Sequence, residues 1–260
     1  MDGSSHISPT VQEANEYLYH VLDIGEAMLN SGGEVSRVED SIHRICLAFG
    51  AEKADVFTIT SSITVTIYTH DYGAVTQTRR ITGKGGYDLC RLEQLNQLSR
   101  RICQQHLTLE ETEAETQRIL SMEKYPFWLQ ILMYAFISAS FSLFFGGSYW
   151  DAVASGLIGV VLKCGERLLQ GAGANGLLTS LLCSCLGGLM AGLSVRCGLG
   201  ESVDMISIGN IMLLIPGIAL TNSLRDMFSG ETISGLMRFI EAVILALTIA
   251  FGFALVAGLL

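Results

Sequence analysis

The sequence predicts an α-helical integral membrane protein with about five transmembrane helices and an N-terminal α+β cytoplasmic domain. Three observations carry that reading. Half of the 260 residues are hydrophobic and only 16% are charged, against roughly 25% in an ordinary soluble domain. The charges are lopsided: residues 1–126 hold 29 of the 41 Lys, Arg, Asp and Glu, and residues 127–260 hold the other 12. The hydrophobic period also changes, from helical to alternating and back, before long uncharged runs begin. One uniform soluble domain does not fit this split. Nor does a disordered chain, whose apolar content is lower. The first part carries 18 acidic against 11 basic residues. That balance argues against nucleic acid as a partner, because binding it needs a basic surface that releases counterions.

Within the first part, residues 11–30 place Ala14, Leu18, Val21, Leu22, Gly25, Met28 and Leu29 at helical spacing, so they form one apolar face. Thr10-x-x-Glu13 reads as a capping box, and Gly32-Gly33 break the helix. A second helix is expected from Ser36, boxed by Glu39, with Val38, Ile42, Ile45, Cys46 and Phe49 on its face and Gly50 as its stop. The period then becomes two. Phe57 and Ile59 alternate with threonines, as do Ile63, Val65 and Ile67. A third β-rich run, 74–82, follows the turn Asp71-Tyr72-Gly73. A three-stranded antiparallel sheet is expected. Residues 88–105 return to helical spacing, and Thr108-x-x-Glu111 opens a last helix running toward Tyr125-Pro126. The predicted domain spans 1–124, with helices covering one face of a short sheet.

The second part, 125–260, holds the predicted spans at about 127–145, 152–169, 176–195, 205–222 and 236–258, each near the ~20 apolar residues a bilayer requires. The second is long enough only if Lys163 and Arg167 snorkel to an interface. With the first part cytoplasmic, Lys124, Lys163, Arg167, Arg225 and Arg238 fall on the cytoplasmic side and only Arg196 outside. The positive-inside rule favours that orientation, with the C-terminus on the outer face. The polar N-terminus lacks the pattern of a cleaved signal. Nineteen of the 28 glycines lie in residues 127–260, where small residues allow helices to pack closely in lipid.

Few motifs carry chemistry. Gly171-x-Gly173-x-x-Gly176 matches a dinucleotide fingerprint in letters, but it lies between two spans instead of in a βαβ unit. Gly83-Lys84-Gly85-Gly86 lacks P-loop spacing. The five histidines show no metal-ligand spacing. The seven cysteines read as small buried apolar residues and not as a disulfide framework. No metal and no cofactor are implied. The most informative stretch begins at Ile215-Pro216-Gly217. Proline removes a backbone donor and glycine adds freedom, so the fourth span should break there. A broken span can expose backbone groups to a polar solute; a plain kink is the simpler alternative. Asn222, Arg225 and Asp226 follow the break. Arg238 and Glu241 share a helix face and could pair. An acid at the depth of Glu241 is costly unless paired, protonated or wet, which makes it a candidate for proton coupling. Lys163, Glu166 and Arg167 close the second span, as an interfacial anchor or as a site for a passing carboxylate.

These residues resemble the threonine/serine exporter family (ThrE/YjjP). The resemblance lies in Leu22-x-x-Gly25-Glu26, Gly32-Gly33-Glu34, Arg37-Val38-Glu39 and Tyr87-Asp88. It continues through Tyr125-Pro126, Gly146-Gly147-x-x-Trp150-Asp151, and Pro216-Gly217 with Asn222, Asp226, Gly230, Gly235 and Arg238. It implies a subunit of a secondary transporter in the bacterial plasma membrane, exporting threonine and serine or a dicarboxylate such as succinate. Fused members are proton-driven and have about twice as many spans. A chain of five spans therefore resembles the larger subunit of a split exporter, with a small companion membrane subunit supplying the rest. A higher oligomer stays open. In this reading Pro216, Gly217, Asn222, Arg225, Asp226 and Arg238 would meet the solute, and Asp226 or Glu241 would carry the coupling proton. The rival reading is a membrane-anchored metabolite-binding or sensor protein. An enzyme is not expected, because no nucleophile–base or metal constellation is legible.

Overall fold

The computed structural model describes residues 11–70, 73–82, 86–122 and 125–258. Thr10 of the first capping box, the turn residues Asp71 and Tyr72, Gly83-Lys84-Gly85 and Lys124 lie outside them. The chain divides into two compact units. One joins Met1–Glu123 to Asn222–Arg238, and the other joins Lys124–Thr221 to Phe239–Leu260.

The first unit opens with helices α1 (Val11–Asn30) and α2 (Val35–Ala48). Gly32 sits between them at a φ of +90°, a left-handed conformation that glycine adopts without a Cβ clash. Gly25 lets the two helices meet closely: a Cβ there would lie 2.6 Å from Ile42 Cδ1. The expected capping box of α2 is not formed. The helix starts at Val35 with Glu34 at its N-cap and no side-chain cap bond. Glu39 instead accepts a 2.6 Å hydrogen bond from the backbone N–H of Thr58, which ties α2 to the sheet.

Strands β1 (Lys53–Ile59), β2 (Ser62–Thr69) and β3 (Gly73–Arg80) form the expected antiparallel sheet in the order β1-β2-β3. In β2 the alternation places Ile63, Val65 and Ile67 in the core. Thr64 and Thr66 pair on the outer face with Thr78 and Thr76, at 3.1 and 2.8 Å. The face of β1 is the reverse of what its apolar residues suggest. Thr58 is fully buried while Phe57 is 60% exposed. Strand β3 meets α1 through polar groups: Gln77 donates to Asn15, and Arg79 bridges Asp23 at 2.7 Å and Glu26 at 3.2 Å.

Helices α3 (Leu89–Gln105) and α4 (Leu109–Leu120) complete the layer. Asp88 caps α3, and Thr108 with Glu111 forms the full capping box of α4. That helix stops at Leu120, short of Tyr125. Leu18, Leu22, Met28, Ile42, Ile45, Leu95, Leu98 and Ile102 make one continuous core.

The second unit contains α5 (Phe127–Phe144), α6 (Tyr149–Gly171), α7 (Gly176–Arg196) and α8 (Val203–Leu214), with the ends of α9 (Gly217–Phe228) and α10 (Thr232–Ala257) that fall within it. Helices α5, α7 and α10 are each long and apolar enough to cross a membrane, and α8 with α9 makes a fourth candidate bent by 51°. The expected fifth, α6, has 23 residues. It carries Asp151, Lys163, Glu166 and Arg167, which lower its hydropathy. Gly156 and Gly159 hold α6 close to α5: a Cβ on Gly159 would lie 2.8 Å from Tyr134 O. Close approach of this kind is how helices associate where no hydrophobic drive exists between them.

Candidate functional site

The α9–α10 hairpin is built by two glycines. Gly230 turns the chain at a φ of +98°. Gly235 lets the helices touch, since a Cβ there would lie 2.8 Å from Ser223 O and from Met227 N. This hairpin presents Asn222, Arg225, Asp226 and Arg238 to one target, the α1–α2 turn. Asp226 is fully buried. Its Oδ1 accepts from the Val35 N–H at 3.3 Å and its Oδ2 from Arg238 Nη1 at 3.0 Å. Arg238 Nη1 also donates to Gly33 O at 3.0 Å. Asn222 Nδ2 donates to Gly32 O at 3.4 Å. Arg225 pairs with Glu34, which also holds Arg37 at 3.2 Å.

The chemistry of this latch follows from burial. A buried carboxylate is tolerable only when paired and hydrogen-bonded. Arg238 supplies the charge, and the first turn of α2 supplies an unpaired N–H at the positive end of a helix dipole. Asp226 therefore does what the failed Ser36 box does not: it caps α2 from about 190 residues away along the chain. Gly32 and Gly33 offer bare carbonyls that a bulkier turn would crowd, as a Cβ on Gly33 would lie 2.8 Å from Met28 O.

Four of the six predicted solute-contacting residues thus meet at one turn. Pro216 and Gly217 lie in the other unit at the bend, where α8 ends at Leu214 and α9 starts at Gly217. The expected pairing of Arg238 with Glu241 is replaced by Arg238 with Asp226, and Glu241 is exposed in the second unit. The charged end of α6 is also engaged. Lys163 pairs with Glu166 at 2.9 Å, Tyr134 Oη donates to Glu166 at 3.0 Å, and Arg167 lies 4.0 Å from the Phe127 ring centroid.

Sequence reading missed a polar knot in the second unit. Ser138, Ser155 and Asn210, from α5, α6 and α8, are all fully buried. Ser138 Oγ lies 2.8 Å from both Ser155 Oγ and Asn210 Oδ1, and Asn210 Nδ2 donates to Ile206 O at 2.8 Å. Asp151 accepts from the backbone N–H groups of Glu201 and Ser202 at 2.7 and 2.9 Å and fixes the α7–α8 connection. Polar residues in apolar runs were the available signal, but nothing in a one-dimensional pattern says that three of them converge. A cavity of about 430 Å³ opens between α7, α8 and α10, with Arg196, Asp204 and Ser207 on its wall. Among the described residues no group of His, Cys, Asp or Glu could hold a metal ion. The Gly171 to Gly176 stretch joins two helices, without the strand a dinucleotide fold requires.

The ThrE family model, described as "Putative threonine/serine exporter", matches residues 20–260. Among curated proteins, "Probable succinate transporter subunit YjjP" of Klebsiella aerogenes is 25% identical over 229 residues, 86% of each chain. "Probable threonine/serine exporter" of Mycobacterium tuberculosis is 23% identical over 233 residues, covering 89% of this chain and 44% of that one. No solved structure matches.

Proposed function

We propose, for a chain that belongs to the threonine/serine exporter family, that it is one subunit of a secondary transporter exporting small polar metabolites, amino acids of the threonine/serine type or a dicarboxylate such as succinate. The observation that carries this reading is the 51° break between α8 and α9. A span interrupted by Pro216-Gly217 frees backbone groups to hydrogen-bond a solute, and an unbroken anchor has no use for it. The cavity in the same unit sets Arg196, Asp204 and Ser207 on an otherwise apolar wall, which supports a place there for a small polar solute. The relative named as a subunit matches over most of both chains, which supports a companion membrane protein that supplies further spans.

In this proposal α6 crosses as a fifth span, the N-terminal domain is cytoplasmic and the C-terminus lies on the outer face. Asn222 and Arg225 are candidates for contact with the solute, and so, separately, is the backbone at Pro216-Gly217. Asp226 or Glu241 takes up the coupling proton. A proton on Asp226 would cancel its attraction to Arg238 and loosen the latch, so coupling would change how the hairpin holds the α1–α2 turn. No catalytic step is assigned to the chain.

The test is flux in vesicles holding the full chain with and without its companion membrane protein, loaded with labelled threonine, serine or succinate. The proposal expects efflux of one solute class only when both proteins are present. Flux from the chain alone would remove the companion, and no flux of any solute in either case would remove the transport reading. A membrane-anchored sensor is favoured by one observation, a cavity of about 280 Å³ within the first unit beside Tyr17, Phe49, Ile67 and Leu107. Metabolite binding without flux would support that second reading.

A further inference from the structure

We propose that the groove between α2 and α3 binds a small dianion, a short dicarboxylate or inorganic phosphate, and that the first unit is therefore a metabolite-binding module in its own right. The groove holds about 310 Å³. One wall is a polar stripe of α2, in which Arg37, Asp40 and Arg44 recur at helical spacing. The other is a stripe of α3, with Asn96, Arg100 and Gln104 four residues apart. Residues three or four apart face the same way on a helix, so the two stripes look at each other across the groove. Beneath them Val38, Ile42, Ile45, Leu95, Leu98 and Ile102 are buried in one core. This core fixes the two helices that carry the stripes.

The charges decide the class of ligand. Three guanidinium groups and one carboxylate line the groove, in a part of the chain that is otherwise strongly acidic. Asp40 is already committed, with one oxygen 2.9 Å from Arg44 Nε and the other 2.7 Å from Arg44 Nη2. Arg37 is held by Glu34. Arg100 has no ion-pair partner among the described residues and is exposed. Planar guanidinium forks match carboxylate and phosphate oxygens in pairs. A dianion would therefore set one anionic end on Arg100 and the other on the α2 arginines. The ammonium of an α-amino acid would meet one carboxylate, Asp40, whose charge Arg44 already offsets, and three guanidinium groups that repel it. A polyanion would meet the acidic surface around the groove. The site uses none of Asn222, Asp226 or Arg238.

The experiment is calorimetric titration of the full chain in detergent with succinate, inorganic phosphate and L-threonine. Expected is saturable binding of succinate or phosphate, weakened at least about tenfold by Arg100→Gln and by Arg44→Gln, the loss due to one charged hydrogen-bonding partner. Arg100→Lys should recover part of it. Unliganded unfolding midpoints of the variants should match wild type, because both side chains are exposed. Succinate binding on these arginines identifies the dicarboxylate, and phosphate binding on them identifies phosphate. Preference for threonine, affinity untouched by both substitutions, or no binding of either dianion overturns the proposal. Flux in vesicles is a separate readout, so loss of this site in Arg100→Gln with flux intact leaves the transport reading standing.

Discussion

At the residue scale the account turns on Asp226 and Arg238. Breaking a buried, hydrogen-bonded ion pair by removing one partner typically costs about 3–5 kcal/mol, because the other charge is left buried and alone. Arg238 is only 16% exposed. Asp226→Ala is therefore expected to lower the unfolding free energy of the full chain by several kcal/mol in denaturant titrations. Pairing it with Arg238→Met should cost less than the sum of the two single changes. Additive costs would mean the two side chains do not act on each other. Cysteines give a second prediction. Burial pushes the Cys46 thiol up from 9.0 to about 12, and burial also raises the Tyr17 hydroxyl, which donates to Ile45 O. Alkylation at mildly alkaline pH should label the exposed Cys90 and spare Cys46. Because the folded state holds the Cys46 proton more tightly than the unfolded chain, its contribution to stability is complete below about pH 9 and is lost as the pH climbs toward 12. Stability unchanged across that interval would contradict the burial.

At the scale of elements, two glycines test whether close approach holds the fold. Gly32→Ala forces a Cβ into a left-handed conformation at a φ of +90°, at a cost of about 1–2 kcal/mol. It also crowds the turn whose carbonyls receive Asn222 and Arg238. Gly209→Ala puts a Cβ 2.6 Å from Ser138 O and hard against Ser155 Oγ, so it should part α5, α6 and α8 and cost about 1–3 kcal/mol by overpacking. Unfolding midpoints of the two variants, measured with wild type in one detergent, check both values. Most elements were legible in the sequence for the same reason that these glycines matter: local rules act locally. The boxes at Thr108, the stop at Gly50, the period of β2 and the break at Pro216 all depend on neighbours within a turn. The misread α2 start and the outward Phe57 depend on partners far along the chain. Glu39 could not be seen to prefer the Thr58 N–H over its own helix end, and Thr58 could not be seen to lie under that carboxylate. The candidate residues were legible as types, and their target was not. Gly32-Gly33-Glu34 and the 222–238 stretch read as separate features, because a one-dimensional pattern carries no sign that they bond to each other.

At the scale of the whole molecule, membership of a transporter family and a bent helix pair combine with a latch that begins directly after the bend in the chain. Deleting residues 1–120 would not separate a sensor from a transporter cleanly, because it would strip Asp226 and Arg238 of Val35 N and Gly33 O. The sharper comparison is between single carboxylates in an intact chain. The measurement is efflux of labelled threonine, serine or succinate, under an imposed proton gradient, from vesicles holding the full chain and the proposed companion membrane protein, for wild type, Asp226→Asn and Glu241→Gln. The account predicts gradient-dependent flux in wild type and its loss in at least one of the two variants, while Arg100→Gln still transports. Gradient-driven flux that is the same in wild type and both carboxylate variants would contradict it.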